Sequence, residues 1–293
     1  MRCNNCGAGN LADAKYCGTC GWAIESPEDE SPDDENTVRG QVEPFSEAHA
    51  VGMSSAPRSL IELLMESGRV YRKRLPVFLG IGLIPQVPGL LGLGPLPLWW
   101  EITLIIASLG LTALTFGAVT HAVARDYLGL TPTVGSSYSG AWQNRLTLVV
   151  CLFIHVVLLV VSLLLIVLLV GIPMLFLLLV LLWFYPQVIM VEHLGPVEAF
   201  RRSITLVQGN WWRLFGIGIA YSALPVALTV AVLTLSPDPA NSKLVSLISA
   251  VIGTVTTPWI MIGSTLAYFD LRVRKEGYSV ESLRAELERT GPA

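Results

Sequence analysis

Residues 146–190 read LTLVVCLFIHVVLLVVSLLLIVLLVGIPMLFLLLVLLWFYPQVIM, which is apolar almost without interruption. A helix rises about 1.5 Å per residue, and about 20 apolar residues are enough to cross the hydrocarbon core of a bilayer. The stretch is therefore too long for one crossing and must turn back on itself. Gly171-Ile172-Pro173 contains the helix-breaking residues that such a turn requires. We therefore predict two adjacent membrane-spanning helices here.

The rest of the chain has the same character. Of its 293 residues, 53% are hydrophobic and 14% are charged, whereas soluble domains have about 25% charged residues. The first candidate span is interrupted by Pro85 and Pro88, with Gln86 between them, but neighbouring helices can satisfy a kinked backbone. The predicted fold class is an all-α polytopic membrane protein with about six transmembrane helices in three hairpins. The predicted spans are residues 76–93, 98–124, 146–170, 172–191, 214–235 and 244–269.

The basic residues predict how the chain is oriented. With six spans, both termini lie on one side of the membrane, and 18 of the 19 Lys and Arg residues fall on that side. The opposite loops, near residues 94–97, 171 and 236–243, contain only Lys243. Cytoplasmic loops carry the excess of Lys and Arg. We therefore predict a multi-pass protein of the cell (plasma) membrane with both termini in the cytoplasm.

Residues 1–24 are predicted to form a small zinc ribbon. They contain two Cys-x-x-Cys-Gly units, whose cysteines are Cys3, Cys6, Cys17 and Cys20. Four thiolates directed at one point give the closed tetrahedral site of a structural zinc ion. Because so short a segment has almost no core, the metal would supply most of its folding energy. Two disulfides or a redox pair are the alternatives, but the cytoplasm keeps thiols reduced and a redox site would need only one pair.

The surface of this ribbon suits a protein partner better than a nucleic acid. Its only basic residues are Arg2 and Lys15, and nucleic-acid binding depends on many contacts from cations to phosphates. Lys15, Tyr16 and Trp22 offer a face that a protein could bind.

Residues 25–57 are predicted to be an acidic, disordered linker. Nine acidic residues lie between Glu25 and Glu47, where Arg39 is the only base. Such a segment cannot bury enough apolar surface to offset its chain entropy. We interpret it as a tether, with a regulatory docking site as the alternative. The remaining predicted parts are a six-helix transmembrane domain (58–278) and a short cytoplasmic C-terminal tail (279–293).

Three segments share one plan, in which an amphipathic helix leads through a basic or aromatic junction into apolar spans. The clearest copy starts at Gly195-Pro196, since proline is tolerated in the first turn of a helix. We expect each amphipathic helix to lie in the cytoplasmic interface, where cations and aromatic rings contact membrane lipids. The predicted interfacial residues are Arg74, Arg145, Arg201, Arg202, Trp211, Trp212 and Arg213.

Two stretches resemble a known family. Residues 197–215, VEAFRRSITLVQGNWWRLF, and residues 268–278, YFDLRVRKEGY, are similar to the membrane domain that precedes the catalytic domain in some bacterial glycerophosphodiester phosphodiesterases, and to related six-helix proteins of unknown function. The resemblance covers roughly residues 59–280. It implies membrane architecture without the activity, because the phosphodiester chemistry of those enzymes belongs to a separate soluble barrel. Residues 1–24 likewise resemble the N-terminal zinc ribbons of many prokaryotic membrane proteins.

Polar residues within the apolar segments are candidates for function. Gln86 in the kinked first span and His155 near mid-depth make up a possible intramembrane polar site. In the alternative interpretation, His155 is neutral and bonded to a neighbouring helix. Asp270 is predicted to form an interfacial ion pair with Arg272 and Arg274.

The sequence contains no cluster of carboxylates and histidines suited to catalysis. Our leading hypothesis is a non-enzymatic membrane protein whose zinc ribbon and interfacial helices organise other proteins or lipids at the cytoplasmic face. The alternative is a transporter or channel for a small or lipid-like solute that uses Gln86 and His155. A membrane-embedded enzyme is the third possibility. The sequence does not indicate the partner or the oligomeric state.

Overall fold

The computed structural model describes residues 58–92, 96–235 and 242–288, which lie within one compact unit and whose elements are all helical. The predicted zinc ribbon (1–24) and linker (25–57) lie outside the described residues. The α-helices of the described residues are α1 (Leu60–Lys73), α2 (Leu75–Leu83), α3 (Val87–Leu91), α4 (Leu98–Tyr127), α5 (Val134–Gln143), α6 (Arg145–Leu164), α7 (Gly171–Leu181), α8 (Tyr185–Glu192), α9 (Pro196–Val207), α10 (Trp211–Leu235), α11 (Ser242–Glu276) and α12 (Val280–Glu288).

Five segments of the described chain are helical, long and apolar enough to cross a membrane, and they coincide with the last five predicted spans. One of them consists of α7 and α8 together, and the others are built from α4, α6, α10 and α11. Their bounds are Leu98–Tyr127, Arg145–Val167, Gly171–Glu192, Trp211–Thr234 and Lys243–Glu276.

The first predicted span differs from the other five. It consists of α2, a 3₁₀ turn at Ile84–Gln86 and α3. A helix of residues 75–91 would rise only about 25 Å, which is less than the hydrocarbon core of about 30 Å. It qualifies as a span only together with α1, which is bent by 90° from it. Five of the six predicted spans therefore coincide with helices that could each cross a membrane, and the first corresponds to a bent pair of helices.

The predicted turn in the long apolar stretch is confirmed. Helix α6 ends at Leu164, a 3₁₀ turn follows at Leu165–Leu168, and Leu169 adopts a left-handed conformation with φ of 57°. Helix α7 then begins at Gly171, where a Cβ atom would overlap the carbonyl oxygen of Ser162. A glycine is needed here because the returning chain passes this close to the end of α6.

Three short helices, α1, α5 and α9, precede the apolar helices as the sequence pattern predicts. Ser59 and Glu62 form a capping box at the start of α1, and Thr133 caps α5. Proline occupies the first position of α9, where its missing N–H group costs no hydrogen bond. Local sequence signals therefore fix where these three helices begin.

Successive spans alternate in direction, so that the C-termini of α4, α8 and α11 meet the N-termini of α6 and α10 at one end. We call this the charged end. Of the described Lys and Arg residues, only Lys243, in the first turn of α11, lies at the opposite end. Helix α12, within the predicted C-terminal tail, also packs here through the fully buried Leu283.

Packing is tight near the charged end and loose in the half of the bundle farthest from it, which we call the outer half. In α4 the buried residues begin at Ala113, whereas Ile105 is 60% exposed. Leu164 in α6 and Val251 in α11 are exposed in the same way. The span formed by α7 and α8 is the most central, with 56% of its apolar window buried against 11% for α6 and α10. The outer half therefore presents apolar side chains to its surroundings.

Candidate functional site

A buried carboxylate, Asp270 of α11, holds the start of the described chain. Its Oδ1 atom accepts a hydrogen bond from the backbone N–H of Arg58 at 2.6 Å. Its Oδ2 atom forms ion pairs with Arg213 and Arg274, each at 2.8 Å. Both arginines also donate to the carbonyl oxygen of Arg58 at 2.7 Å. We call these four residues the Asp270 cluster; it fixes both backbone polar groups of Arg58.

A second cluster joins α8, α9, α11 and α12. Glu192 accepts hydrogen bonds from Arg202 at 2.7 Å and from the Tyr268 hydroxyl at 2.8 Å. Arg272 forms two hydrogen bonds of 2.9 Å to Glu286, and its guanidinium lies 3.6 Å from the centre of the Tyr278 ring. Glu276 accepts from both arginines. We call this set the Glu192 cluster.

A third buried carboxylate, Asp126 at the end of α4, binds the end of α1. Lys73 lies 3.0 Å from Oδ2, and Arg74 lies 3.2 Å from Oδ1. The Asp126 side chain is 4% exposed. Because an unpaired buried charge is strongly unfavourable, these two cations fix α1 at a definite position on α4.

The electrostatics of the Glu192 cluster follow from its burial. Burial alone would lower the pKa of Arg202, but the hydrogen bond and the charge of Glu192 outweigh it and the pKa is raised. Burial, together with the hydrogen bond to Glu286, raises the pKa of Tyr278. Both groups therefore keep their protonated forms at neutral pH and remain hydrogen-bond donors to the glutamates of the cluster.

The seven residues predicted to be interfacial divide into two groups. Arg145 and Arg201 are exposed, and Trp212 is 78% exposed. Trp211 is partly buried and stacks on Phe215, with ring centres 5.0 Å apart. The remaining three bind the buried carboxylates described above: Arg74, Arg202 and Arg213. Fewer cations are therefore free to contact lipid headgroups than the sequence pattern indicates.

The predicted ion pair at Asp270 is only half present. Arg274 binds Asp270, whereas Arg272 binds Glu192, Glu276 and Glu286. The cause is helical geometry: residues four apart share a helix face, but residues two apart do not.

The two predicted intramembrane polar residues lie in different places. The amide of Gln86 packs against Gly253 of α11, where a Cβ atom would lie 2.6 Å from its Nε2 atom. His155 lines a cavity, and Gln86 does not contribute to its wall. The structure therefore does not combine the two residues into one polar site.

The cavity has a volume of about 460 Å³ and lies among α4, α6, α7, α8, α10 and α11. His155 is near the middle of α6, and its ring meets that of Tyr185 edge to face at 5.6 Å. Its Nε2 atom is buried without a hydrogen-bond partner. Four other aromatic side chains contribute to the wall: Phe116, Phe176, Trp183 and Phe215.

One important polar residue, Ser203, was not indicated by the sequence pattern. Its hydroxyl donates to the carbonyl oxygen of Leu181 at 2.7 Å and accepts from the N–H of Phe184 at 3.1 Å. Both partners belong to the break between α7 and α8, where the helical hydrogen bonds are interrupted. A serine on the buried face of α9 thus satisfies a broken helix that must not expose its backbone to lipid.

The described part of the chain contains no candidate metal site, because no group of three His, Cys, Asp or Glu residues there could hold an ion. The predicted zinc ligands Cys3, Cys6, Cys17 and Cys20 lie outside it. The fifth cysteine, Cys151, is buried in α6.

Comparison with known proteins gives one family. A family described as a domain of unknown function (DUF7847) matches residues 99–271, which is more than half of the chain and runs from α4 into α11. No curated protein and no solved structure was found to match the chain. None of these comparisons connects the chain with the phosphodiesterase-associated membrane domain.

Proposed function

The chain belongs to the DUF7847 family, and we propose that it is a non-enzymatic membrane adaptor that presents an N-terminal zinc ribbon at the cytoplasmic face of the cell membrane. The family description assigns no activity, so the function is argued from the arrangement at the charged end.

The observation that carries this proposal is the hold on Arg58. The Asp270 cluster binds its backbone N–H and its carbonyl oxygen, not only its side chain. A segment that precedes Arg58 is therefore attached to a point fixed by α10 and α11. This suits a domain that anchors a tethered module to the membrane.

The orientation follows from the charge distribution. Among the described residues, every Lys and Arg except Lys243 lies at the charged end, where Arg58 is also held. The positive-inside rule assigns that end to the cytoplasm. There the thiols of Cys3, Cys6, Cys17 and Cys20 stay reduced and can bind zinc as a closed four-thiolate site.

Lipid contact supports this role without defining it. Arg145, Arg201 and Trp212 are exposed at the charged end, and a cation near an anionic membrane surface contributes about 1 kcal/mol. Because three of the predicted interfacial arginines bind carboxylates instead, the preference for anionic lipid should be modest. A protein partner of the ribbon is therefore the main expected ligand.

The test is cross-linked co-purification from native membranes with the full chain. The variant Cys17→Ser/Cys20→Ser removes two of the four thiolates, and Cys151→Ser is the matched control because that cysteine is buried in α6. We expect one zinc ion per chain and a specific partner with the wild type and with Cys151→Ser. We expect neither zinc nor partner with the double variant. Recovery of the same partner without zinc would refute the adaptor role of the ribbon.

A second candidate function, transport of a small or lipid-like solute, is favoured only by the cavity beside His155. Gln86 does not line that cavity, so the cavity supports a role in transport for His155 and not for Gln86. Solute flux into liposomes that is unchanged in His155→Ala would remove this candidate.

A further inference from the structure

The cavity beside His155 has the properties of a ligand site rather than of a packing defect. Its volume of about 460 Å³ falls within the range of about 300–1,000 Å³ that is usual for small-molecule sites. Protein interiors seldom leave a space this large unfilled. Its walls come from six helices and are almost entirely apolar, apart from His155, Ser222 and the polar tips of Trp183 and Tyr185.

The cavity opens sideways, toward the surroundings of the bundle. Phe176 and Leu179 of α7 and Ile219 of α10 line it and are also 41%, 42% and 56% exposed. These side chains belong to the apolar surface that a membrane protein presents to lipid. A molecule dissolved in the membrane could therefore enter between α7 and α10.

The unpaired imidazole restricts what the ligand can be. His155 makes no hydrogen bond with the described residues, and its Nε2 atom is buried. It is the eleventh residue of the 20-residue helix α6, so it lies near the middle of the hydrocarbon core. A phospholipid offers only methylene groups at that depth, and these cannot satisfy an imidazole. In its N–H form the Nε2 atom can donate to an oxygen, and a neutral lipid can carry an oxygen to this depth of the membrane.

The aromatic wall restricts the ligand further. Phe176 and Phe215 meet edge to face with ring centres 5.6 Å apart, and Tyr185 meets His155 in the same way. The Trp183 indole packs against Gly218, where an added Cβ atom would lie 2.8 Å from the ring. Rings on several sides favour a planar ring through offset or edge-to-face contacts. We propose that the cavity binds a neutral, ring-bearing lipid with a carbonyl oxygen, of the quinone type, with His155 as the hydrogen-bond donor.

The test measures thermal unfolding of the full chain in detergent with decylubiquinone as the probe. A ligand that binds only the folded protein raises the unfolding temperature, by several degrees when its concentration is about 100 times its Kd. We expect a saturable rise with one site per chain. Decanol, which has a similar alkyl chain and a hydroxyl but no ring, should bind at least about tenfold more weakly because it lacks the ring contacts. No saturable rise with the quinone, or equal binding of decanol, would overturn the proposal.

Three variants locate the site. His155→Phe keeps a ring against Tyr185 but removes the donor, and should weaken binding about tenfold. Leu152→Trp fills the cavity and should abolish binding, whereas Leu164→Trp, at an exposed position of the same helix, should leave it unchanged. Circular dichroism and gel filtration establish that each variant is folded. If Leu152→Trp does not fold, the decanol comparison and His155→Phe still decide the matter. Unchanged affinity in His155→Phe would refute the assignment. None of these measurements depends on the zinc ribbon, so they stand or fall separately from the adaptor role.

Discussion

Replacement of Asp270 by Asn should destabilise the helical domain more than the loss of any exposed acid. The Asp270 side chain is 0% exposed, and its carboxylate accepts from one backbone N–H and two guanidinium groups. Asparagine keeps the shape but removes the charge and replaces one oxygen by a donor. Breaking a buried ion pair costs about 3–5 kcal/mol. Because the side chains of Arg213 and Arg274 are 26% and 30% exposed and stay partly hydrated, we expect the lower limit, about 3 kcal/mol.

The assay is thermal unfolding in detergent, followed by intrinsic tryptophan fluorescence at fixed pH and salt. For a domain of this size, each kcal/mol changes the unfolding temperature by about 2–4 °C, so Asp270→Asn should lower it by roughly 6–12 °C. The matched control is Glu101→Gln, which neutralises an exposed acid in the first turn of α4 that has no ion-pair partner among the described residues. Surface changes of this kind usually stay within about 0.5 kcal/mol.

A double-mutant cycle separates the ion pair from other effects of the substitution. If the Asp270–Arg274 contact carries the stability, then Arg274→Gln should cost much less in the Asp270→Asn background than in the wild type. Salt at about 1 M should leave the difference between Asp270→Asn and the control largely intact, because buried pairs are screened less than exposed ones. A temperature shift for Asp270→Asn no larger than that of Glu101→Gln would refute the reasoning.

Three further predictions concern the helix break, a close helix contact and the orientation. Ser203→Ala should lower the free energy of unfolding by about 2 kcal/mol, because two backbone groups in the break between α7 and α8 lose their partner. The control is Ser162→Ala, where the hydroxyl bonds only within its own helix. It should cost less than half of this in the same unfolding assay. Gly263→Ala should lower the free energy of unfolding by about 1–3 kcal/mol, because its Cβ atom would overlap the buried ring of Tyr221. Gly110→Ala, with open space around it, should be neutral or stabilising. Equal shifts of the unfolding temperature in the two variants would contradict the packing. A fluorescent protein fused after Ala293 should fluoresce and an alkaline phosphatase fused there should be inactive, since both report a cytoplasmic C-terminus; the reverse pattern would refute the orientation.

Much of the helical plan was predictable because it depends on local signals. The length of the apolar stretch requires a turn, and Gly171 shows where. Ser59 and Thr133 mark the starts of α1 and α5 through their capping hydrogen bonds. These features involve residues within a few positions of each other, so a single sequence displays them.

Apart from the Asp270–Arg274 pair, which lies within one helix, the clusters and the cavity were not predictable because they depend on distant contacts. Asp126 and Glu192 stand at the ends of apolar segments, which could have marked them as buried acids, but nothing in the sequence says which arginine each one binds. Arg202 lies ten residues from Glu192 but Arg272 lies much further along the chain. The cavity likewise combines Phe116 of α4 with Phe215 of α10. Such pairs arise only when the helices pack.

The uneven packing of the bundle implies that its two halves tolerate change very differently. In the outer half, Ile105, Leu164 and Val251 face outward. A side chain at these positions needs only to be apolar, so we expect Leu, Ile, Val and Phe to replace one another there. At the charged end, Asp270 must place two oxygens within hydrogen-bond distance of donors from three segments of the chain, and even one added methylene group would misplace them. The charged end therefore constrains the sequence of this protein more strongly than the outer half does. Relatives could differ widely in the outer half of their helices while keeping the same architecture.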